Sequence, residues 1–316
     1  MRSRRIILLA ALTATLLTFP TTSALTSELP DGAIPLEGGG YALELSKPSP
    51  DWYTPALHAQ VKAAGAEGLA LPENAEIQAS GLAFTGIRPG SWMIAPSWCT
   101  MNFIFHGATT TTSTTTRTKA GGGGKKTTTT GGGGSGWYIG TAGHCAEVGD
   151  EVTLVAAPGV MMVIGKTVKS VDGGLGRDFA LVEIYPHMVQ YINPSMAHWG
   201  GPTGTNYDVA VGDPVVHSGH GLAIGTGGTP RAGVVTHVDG TAYGWDGAGI
   251  FGDSGSAVRH ANGLAEGNLT HLVVDTRWLP AFIAGTTAEE LERIAGVPIC
   301  DSTLVPNPLP NPTSAP

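Results

Sequence analysis

Two short motifs hold a hydroxyl and an imidazole, the groups that cleave acyl bonds in many hydrolases. Ser254 lies in Gly-Asp-Ser-Gly-Ser (residues 252–256), and His144 lies in Thr-Ala-Gly-His-Cys (residues 141–145). A serine hydroxyl is a poor nucleophile until a histidine accepts its proton and backbone N–H groups stabilise the resulting oxyanion. Taken alone, the first motif is also a common turn sequence and the second a common place for a structural histidine. Further residues must therefore decide whether Ser254 acts as a nucleophile.

Both motifs resemble the signature motifs of the chymotrypsin-like (trypsin-like) serine peptidases, in particular the secreted bacterial type. Residues 177–182 (Arg-Asp-Phe-Ala-Leu-Val) resemble the Asp-Ile-Ala-Leu pattern of that family. The resemblance implies that Asp178 is the carboxylate that orients the imidazole of the general base. Asp150 and Asp172 are weaker alternatives, because neither precedes an apolar run. The chain order His, Asp, Ser is that of the chymotrypsin group and differs from that of the subtilisins and α/β-hydrolases.

The resemblance extends over residues 99–274, a little over half of the chain, and it implies several further roles. His144 is expected to take the proton of Ser254 and to pass it to the leaving amine. The backbone N–H groups of Gly252 and Ser254 are expected to form the oxyanion hole. Family members join the cysteine before the histidine to the one after it, which implies a Cys99–Cys145 disulfide. The family also buries the aspartate before the nucleophile, here Asp253, and the sequence leaves its partner open because no Arg-Ile-Val-Gly-Gly activation site is present.

The resemblance also implies which residues bind substrate. Thr270 matches the serine on the strand that pairs with the substrate backbone, so His271 and Leu272 are expected to line the cleft. Ala248 lies six residues before Ser254, where trypsins carry the aspartate that binds lysine or arginine. An alanine cannot pair with a cation. The S1 pocket is therefore expected to be apolar or small, although His271 leaves a preference for acidic side chains open.

The composition favours a turn-rich β protein. Only 13% of the residues are charged, while the chain has 47 glycines and 22 prolines. Short apolar runs separated by glycine, proline and aspartate predict many short strands. With the family resemblance, the expected fold class is all-β: two antiparallel six-stranded β-barrels with a short C-terminal helix. Thr287 is the expected N-cap of that helix, which covers residues 288–294.

Four segments are expected along the chain. Residues 1–24 combine arginines, a short apolar run and small residues, which predicts a secretory signal and an exported protein without a stable membrane span. Residues 25–95 are interpreted as an N-terminal extension or pro-segment, with a helix near 55–66 capped by Thr54. The peptidase domain is expected at 96–285, interrupted by a Thr/Gly-rich insertion at 109–136 that predicts a mobile loop. Residues 286–316 form the C-terminal helix and a disordered tail.

The predicted function is secreted serine endopeptidase activity through an acyl-enzyme, with peptides or proteins as substrates and no cofactor. The formal net charge of −8 argues against a nucleic-acid partner. His217 and His220 lack an evident third ligand, so no metal site is predicted. Asn268 begins a glycosylation sequon but falls in a predicted core strand.

Two alternative functions remain. One is a catalytically inactive binding protein of the same fold, and the other is an esterase that uses the same site. The sequence leaves the oligomeric state open.

Overall fold

The computed structural model describes residues 29–37, 39–73, 75, 86–107, 113–117, 126–130, 135–156, 159–221, 228–274 and 281–305. The predicted signal segment (1–24) and the predicted disordered tail, from residue 306 onward, lie outside the described residues. Within the described part, neither helix combines the length and apolar character needed to cross a bilayer.

The described chain consists mainly of short strands, as predicted for an all-β protein. In chain order the strands are β1 (Ile34–Pro35), β2 (Tyr41–Glu44), β3 (Lys47–Pro48), β4 (Leu69–Ala70), β5 (Trp92–Ile94), β6 (Ser97–Thr100), β7 (Ile104–His106), β8 (Ser113–Arg117), β9 (Lys126–Thr130), β10 (Trp137–Thr141), β11 (Glu151–Ala156), β12 (Val160–Asp172), β13 (Asp178–Ile184), β14 (Pro214–His217), β15 (Arg231–Asp239), β16 (Ala242–Asp246), β17 (Ala257–His260), β18 (Ala265–Asn268), β19 (His271–Val274) and β20 (Phe282–Thr286). The helices are α1 (Pro55–Ala64) and α2 (Ala288–Ala295), with 3₁₀ turns at Gly65–Glu67, Gly143–Cys145 and Pro186–Tyr191.

Most strands belong to two antiparallel sheets. The first sheet has the order β3-β6-β5-β11-β12-β13-β10-β7, with β4 added to β12, and the second has the order β1-β2-β19-β20-β16-β15-β14-β17-β18. Each sheet therefore has nine strands among the described residues, where six per barrel were expected. The N-terminal extension accounts for part of this difference, because it contributes β3, β4 and β5 to the first sheet and β1 and β2 to the second.

Each sheet covers its own apolar core. The first core lies among strands of the first sheet and includes Met93, Ile139 and Val182, all fully buried. The second core includes Trp245 and Val258 of the second sheet. Branched and aromatic side chains suit both cores because they pack well on a pleated surface.

The two helices follow the predicted capping signals. The Thr54 hydroxyl accepts a hydrogen bond from the backbone N–H of Leu57 at 3.2 Å, and Pro55 occupies the first turn of α1. Thr287 occupies the N-cap position of α2, although its side chain makes no capping hydrogen bond. Gly296 ends α2 in a left-handed conformation (φ 73°), which glycine adopts without strain.

Three features of the chain's organisation were not expected from the sequence. Within the Thr/Gly-rich insertion, β8 and β9 pair as antiparallel strands, since threonine is β-branched and favours strands; the mobility expected of the insertion stays a prediction. Strand β20 directly precedes the C-terminal helix. The first sheet includes β5, which lies before residue 96 and pairs with both β6 and β11.

Candidate active site

His144 and Asp178 are positioned by neighbouring strands of the first sheet. β10 leads into the turn that holds His144, and Asp178 is the first residue of β13, which pairs with β10. The Asp178 Oδ1 atom accepts the backbone N–H groups of Gly143 (2.5 Å) and His144 (3.2 Å). The carboxylate therefore fixes the main chain of the turn as well as its imidazole.

The three side chains predicted from the motifs form one hydrogen-bonded chain. His144 Nδ1 lies 2.6 Å from Asp178 Oδ2, and His144 Nε2 lies 2.8 Å from Ser254 Oγ. These distances are within the range needed for proton transfer between a nucleophile and its base. With Nδ1–H donated to Asp178, Nε2 is left as an acceptor for the serine proton.

Burial and charge act in opposite directions on this pair. Burial alone would lower the pKa of His144, but the charge of Asp178 and the hydrogen bond to it raise that pKa above its ordinary value. Burial would likewise raise the pKa of the Asp178 carboxyl, but the charge of His144 and the hydrogen bonds from it lower that pKa. Both side chains are almost entirely inaccessible, with exposures of 1% for His144 and 0% for Asp178. Because its pKa lies below the ordinary value of a carboxyl group, Asp178 is ionised at neutral pH despite this burial.

The disulfide expected from the resemblance is present. Cys99 in β6 is bonded to Cys145, directly after His144, with the Cα atoms 6.2 Å apart. This bond ties the turn that holds His144 to a neighbouring strand of the first sheet. Cys300 is a free, half-buried thiol, and burial raises its pKa to about 11.

The turn around Ser254 depends on two glycines with positive φ. Gly252 has φ 103° and Gly255 has φ 89°. A Cβ atom on Gly255 would lie 2.1 Å from the carbonyl oxygen of Thr100, so no other residue fits without displacing the backbone. Thr100 also secures the turn from outside, because its backbone N–H donates to the Ser254 carbonyl (2.8 Å) and its hydroxyl to the Gly252 carbonyl (2.8 Å).

Arg231 is the partner of Asp253 that the sequence left open. Arg231 Nη1 lies 2.5 Å from Asp253 Oδ2, and Nη2 lies 3.0 Å from Oδ1. The same carboxylate accepts the backbone N–H groups of Gly221 (2.7 Å) and Ile250 (2.9 Å). The Arg231 side chain is 8% exposed and that of Asp253 is 0% exposed. This buried ion pair therefore anchors the turn at the residue directly before Ser254.

A second group of buried residues lies behind Asp178. His271 Nδ1 is 3.8 Å from Asp178 Oδ2 and 2.7 Å from the Thr270 hydroxyl. Burial lowers the pKa of His271 to about 4, despite the opposing charge of Asp178. Asn268 donates from Nδ2 to the Asp178 carbonyl (3.0 Å) and accepts the Thr286 N–H at Oδ1 (3.0 Å). These contacts hold the start of β13 against the second sheet.

The substrate-binding residues predicted from the sequence occupy different surroundings. The His271 side chain is fully buried against the triad, whereas Leu272 is half-buried on β19. The Thr270 carbonyl oxygen lies 3.0 Å from Ser254 Oγ. Ala248 is exposed, and its carbonyl accepts a hydrogen bond from Arg231 at 3.2 Å.

The proposed oxyanion donors already hold a carbonyl of this chain. The backbone N–H groups of Gly252 (2.5 Å) and Ser254 (3.3 Å) both point at the carbonyl oxygen of Leu45. Leu45 belongs to the N-terminal extension, directly after β2. Two amides that converge on one carbonyl oxygen are the arrangement that stabilises an oxyanion.

Comparison with known proteins gives structural similarity without a family assignment. No protein-family model and no curated protein matches the chain. Among solved structures, the chymotrypsin of Cellulomonas bogoriensis is 18% identical, with a TM-score of 0.42, over 68% of this chain and 99% of that one. A Nocardiopsis protease is 19% identical, with a TM-score of 0.46, over 67% of this chain and 98% of that one. A glutamic acid-specific serine protease, described as using a histidine triad in substrate binding, is 16% identical, with a TM-score of 0.46, over 68% of this chain and 100% of that one. At these identities and TM-scores the similarity carries no argument about activity. Any proposal about activity must therefore come from the geometry of the site.

Sequence inspection missed Arg231, Asn268 and Leu45 as members of the site. Arg231 lies just before a short apolar run and had no evident partner in the sequence. Asn268 was considered only as part of a glycosylation sequon, and its full burial is incompatible with an attached glycan. Leu45 lay in a region without a recognisable pattern. One signal was available for Arg231, since a buried aspartate beside the nucleophile requires a cationic or N–H partner.

Proposed function

We propose that this protein is a serine endopeptidase of the chymotrypsin-like type, with Ser254 as nucleophile, His144 as general base and Asp178 as the orienting carboxylate. The observation that carries the proposal is the unbroken hydrogen-bonded chain from Asp178 through His144 to Ser254. It ends beside two amides that converge on a carbonyl oxygen. Base, nucleophile and oxyanion donors are thus within reach of one reacting carbonyl.

Each residue has a defined part in the reaction. Ser254 Oγ attacks the carbonyl carbon while His144 Nε2 takes its proton. The amides of Gly252 and Ser254 stabilise the negative oxygen, and Asp178 stabilises the imidazolium and keeps the correct tautomer. The imidazolium then protonates the leaving amine. Water then hydrolyses the ester on Ser254: His144 takes a proton from the water and returns it to Ser254 Oγ.

The proposed substrates are peptides or proteins outside the cell, and the S1 pocket does not favour lysine or arginine. Ala248 offers no charge to a cationic side chain. The disulfide beside His144 agrees with an exported protein, since such bonds persist in oxidising surroundings. The predicted signal segment at residues 1–24 also indicates an exported protein.

The test is labelling with a fluorophosphonate, which reacts with an activated serine. We expect labelling of the secreted protein and none of Ser254→Ala, together with turnover of casein by the first alone. Labelling of both chains to the same extent contradicts Ser254 as the nucleophile. Turnover of peptide amides separates a peptidase from an esterase, and a labelled protein that cleaves esters alone contradicts the peptidase assignment.

A further inference from the structure

Leu45 makes both backbone contacts expected of the residue on the acyl side of a cleaved bond. Its carbonyl oxygen accepts the N–H groups of Gly252 and Ser254, at 2.5 and 3.3 Å. Its own N–H donates to the carbonyl of Thr270 at 3.0 Å. The Ser254 Oγ atom lies 3.0 Å from that same Thr270 carbonyl oxygen. The carbonyl of Leu45 is thus held where the proposed chemistry takes place.

The chain on either side of Leu45 is held in an extended form by the two sheets. Before it, β2 pairs antiparallel with β19, with Glu44 opposite His271 and Leu43 opposite Leu272. After it, β3 pairs antiparallel with β6, with Lys47 opposite Trp98. Residues 41–48 therefore cross the site from the second sheet to the first as an added strand, the way an extended peptide binds a sheet edge. We call residues 41–48 the blocking segment.

The Leu45 side chain enters an apolar pocket. It is 1% exposed and belongs to the cluster in the second sheet formed by Val215, Val235, Tyr243, Trp245, Val258, Leu269 and Ile283. By contrast, Leu43 is half-buried and Pro48 is exposed. The pocket beside Ser254 thus accepts an aliphatic side chain of leucine's size.

Packing on both flanks keeps the blocking segment in place. Upstream, β1 pairs with β2, with Ile34 opposite Ala42. Downstream, α1 buries Val61 in a cluster with Trp92 on the first sheet. Because the segment is tethered at both ends, it competes with outside peptides at a high effective concentration. The groove is closed to other substrates for as long as the segment is bound.

We propose that the blocking segment is the enzyme's own first substrate, and that Ser254 cleaves the Leu45–Ser46 bond and thereby opens a site that is latent until then. This inference rests on the proposed function and names a substrate of that same site. It also assigns Leu45 as the residue that fills the specificity pocket, so that an aliphatic residue is preferred on the acyl side of other substrates.

The step balances with water as the sole co-reactant. Ser254 Oγ bonds to the Leu45 carbonyl carbon, and its proton passes to His144 Nε2. The bond from that carbon to the Ser46 nitrogen breaks, and His144 returns the proton to this nitrogen, which becomes a new N-terminus. Water then adds to the ester, one of its protons returns through His144 to Ser254 Oγ, and Leu45 leaves as a carboxylate.

The first experiment follows the N-terminus of the full-length chain produced in a secreting host. We expect the mature protein to begin at Ser46, as read by N-terminal sequencing and intact mass. Ser254→Ala is expected to retain the Leu45–Ser46 bond, and catalytic amounts of wild type should then cleave it. Ser46→Pro, which blocks the scissile bond, is expected to stay intact with at least a hundredfold lower peptide turnover. Ser46→Ala is the matched control and should be processed normally.

A second variant separates failure of this inference from failure of the proposed function. Leu45→Asp places a charge in the apolar pocket, so we expect the segment to leave the groove and Ser254 to react with the fluorophosphonate without cleavage at residue 45. Leu43→Asp, at a half-buried position of the same strand, should still be processed. An intact Leu45–Ser46 bond in wild type, together with labelling of wild type or of Leu45→Asp, overturns the inference and leaves the peptidase assignment standing. Labelling of neither chain overturns the proposed function itself.

The pocket is tested on the processed enzyme with peptide p-nitroanilides of the sequence Tyr-Ala-Leu-Glu-Xaa. We expect kcat/KM to be at least tenfold higher with Leu as Xaa than with Arg or Glu. A preference for Arg or Glu contradicts Leu45 as the occupant of the specificity pocket.

Discussion

Replacing Arg231 with methionine leaves the Asp253 carboxylate buried beside the nucleophile without its cation. The carboxylate loses two charged hydrogen bonds, at 2.5 and 3.0 Å, and keeps the backbone N–H groups of Gly221 and Ile250. Methionine has an unbranched chain that fills much of the space of the arginine stem. The substitution therefore tests the charge pair more than the packing.

The expected cost follows from the burial of the pair. Breaking a buried ion pair by removing one partner costs about 3–5 kcal/mol, because an uncompensated charge remains. At roughly 2–4 °C per kcal/mol for domains of 150–250 residues, this corresponds to a fall in Tm of about 6–20 °C. Asp253 lies between Gly252 and Ser254, so a shift of the turn also misaligns the oxyanion donors. We expect kcat to fall by up to about a hundredfold, by analogy with the loss of one such donor.

Stability is measured by calorimetry in a Ser254→Ala background, which prevents self-digestion, and kcat is measured in the active chain. Lys62→Met is the matched control, because the Lys62 side chain is 55% exposed and its partner Glu151 is 22% exposed and keeps the hydrogen bond from the Tyr185 hydroxyl. It should lower Tm much less than Arg231→Met. Adding Asp253→Asn to Arg231→Met removes the unpaired charge and should restore part of the stability. A loss of less than 1 kcal/mol for Arg231→Met, or a double variant no more stable than the single one, refutes the reasoning.

Three further predictions concern the residues around the base. Because Asp178 raises the pKa of His144 and only the neutral imidazole accepts the serine proton, kcat/KM should fall as the pH drops through a pKa above 6.5; a pH–rate profile measures this, and a midpoint below that value contradicts the coupling. Removing the Cys99–Cys145 disulfide by a double change to alanine should cost about 4 kcal/mol for a separation of 46 residues, as measured by urea unfolding; an unchanged unfolding midpoint argues against it. Asn268→Ala should lower the free energy of unfolding by about 2 kcal/mol, because two buried main-chain groups lose their partner. It should also lower kcat with little change in KM; a change in KM alone contradicts a role of Asn268 in positioning Asp178.

Much of the triad was predictable because its motifs are local. A glycine on each side of Ser254, a histidine beside a cysteine, and an acid before an apolar strand are visible within five or six residues. The structure places His144 within hydrogen-bond distance of both Asp178 and Ser254, while the catalytic roles of the three residues stay predictions. The helix at Pro55–Ala64 was predictable for the same reason, since a cap and a proline at its first turn identify its start.

The strand pattern was predictable only in part. Of the long strand Val160–Asp172, only the apolar section 161–164 was predicted, because most of the residues from 166 to 172 are exposed or partly buried. The strand predicted to contain Asn268 ends at that residue as β18, and β19 begins only at His271; between them the Thr270 carbonyl oxygen lies 3.0 Å from Ser254 Oγ. Periodicity identifies which residues are buried but does not show where the backbone changes partner.

The sequence by itself determined which groups are available at this site, a serine hydroxyl, an imidazole and a carboxylate, because short-range motifs encode turns and side-chain types. The disulfide beside them was implied by the family resemblance. Only the tertiary structure decided what these groups meet. It pairs Arg231 with Asp253, turns His271 inward against Asp178, and lays Leu45 against the amides beside Ser254. The last contact joins residues about two hundred positions apart through backbone hydrogen bonds, which any residue but proline can donate, so no local pattern in the sequence announces it.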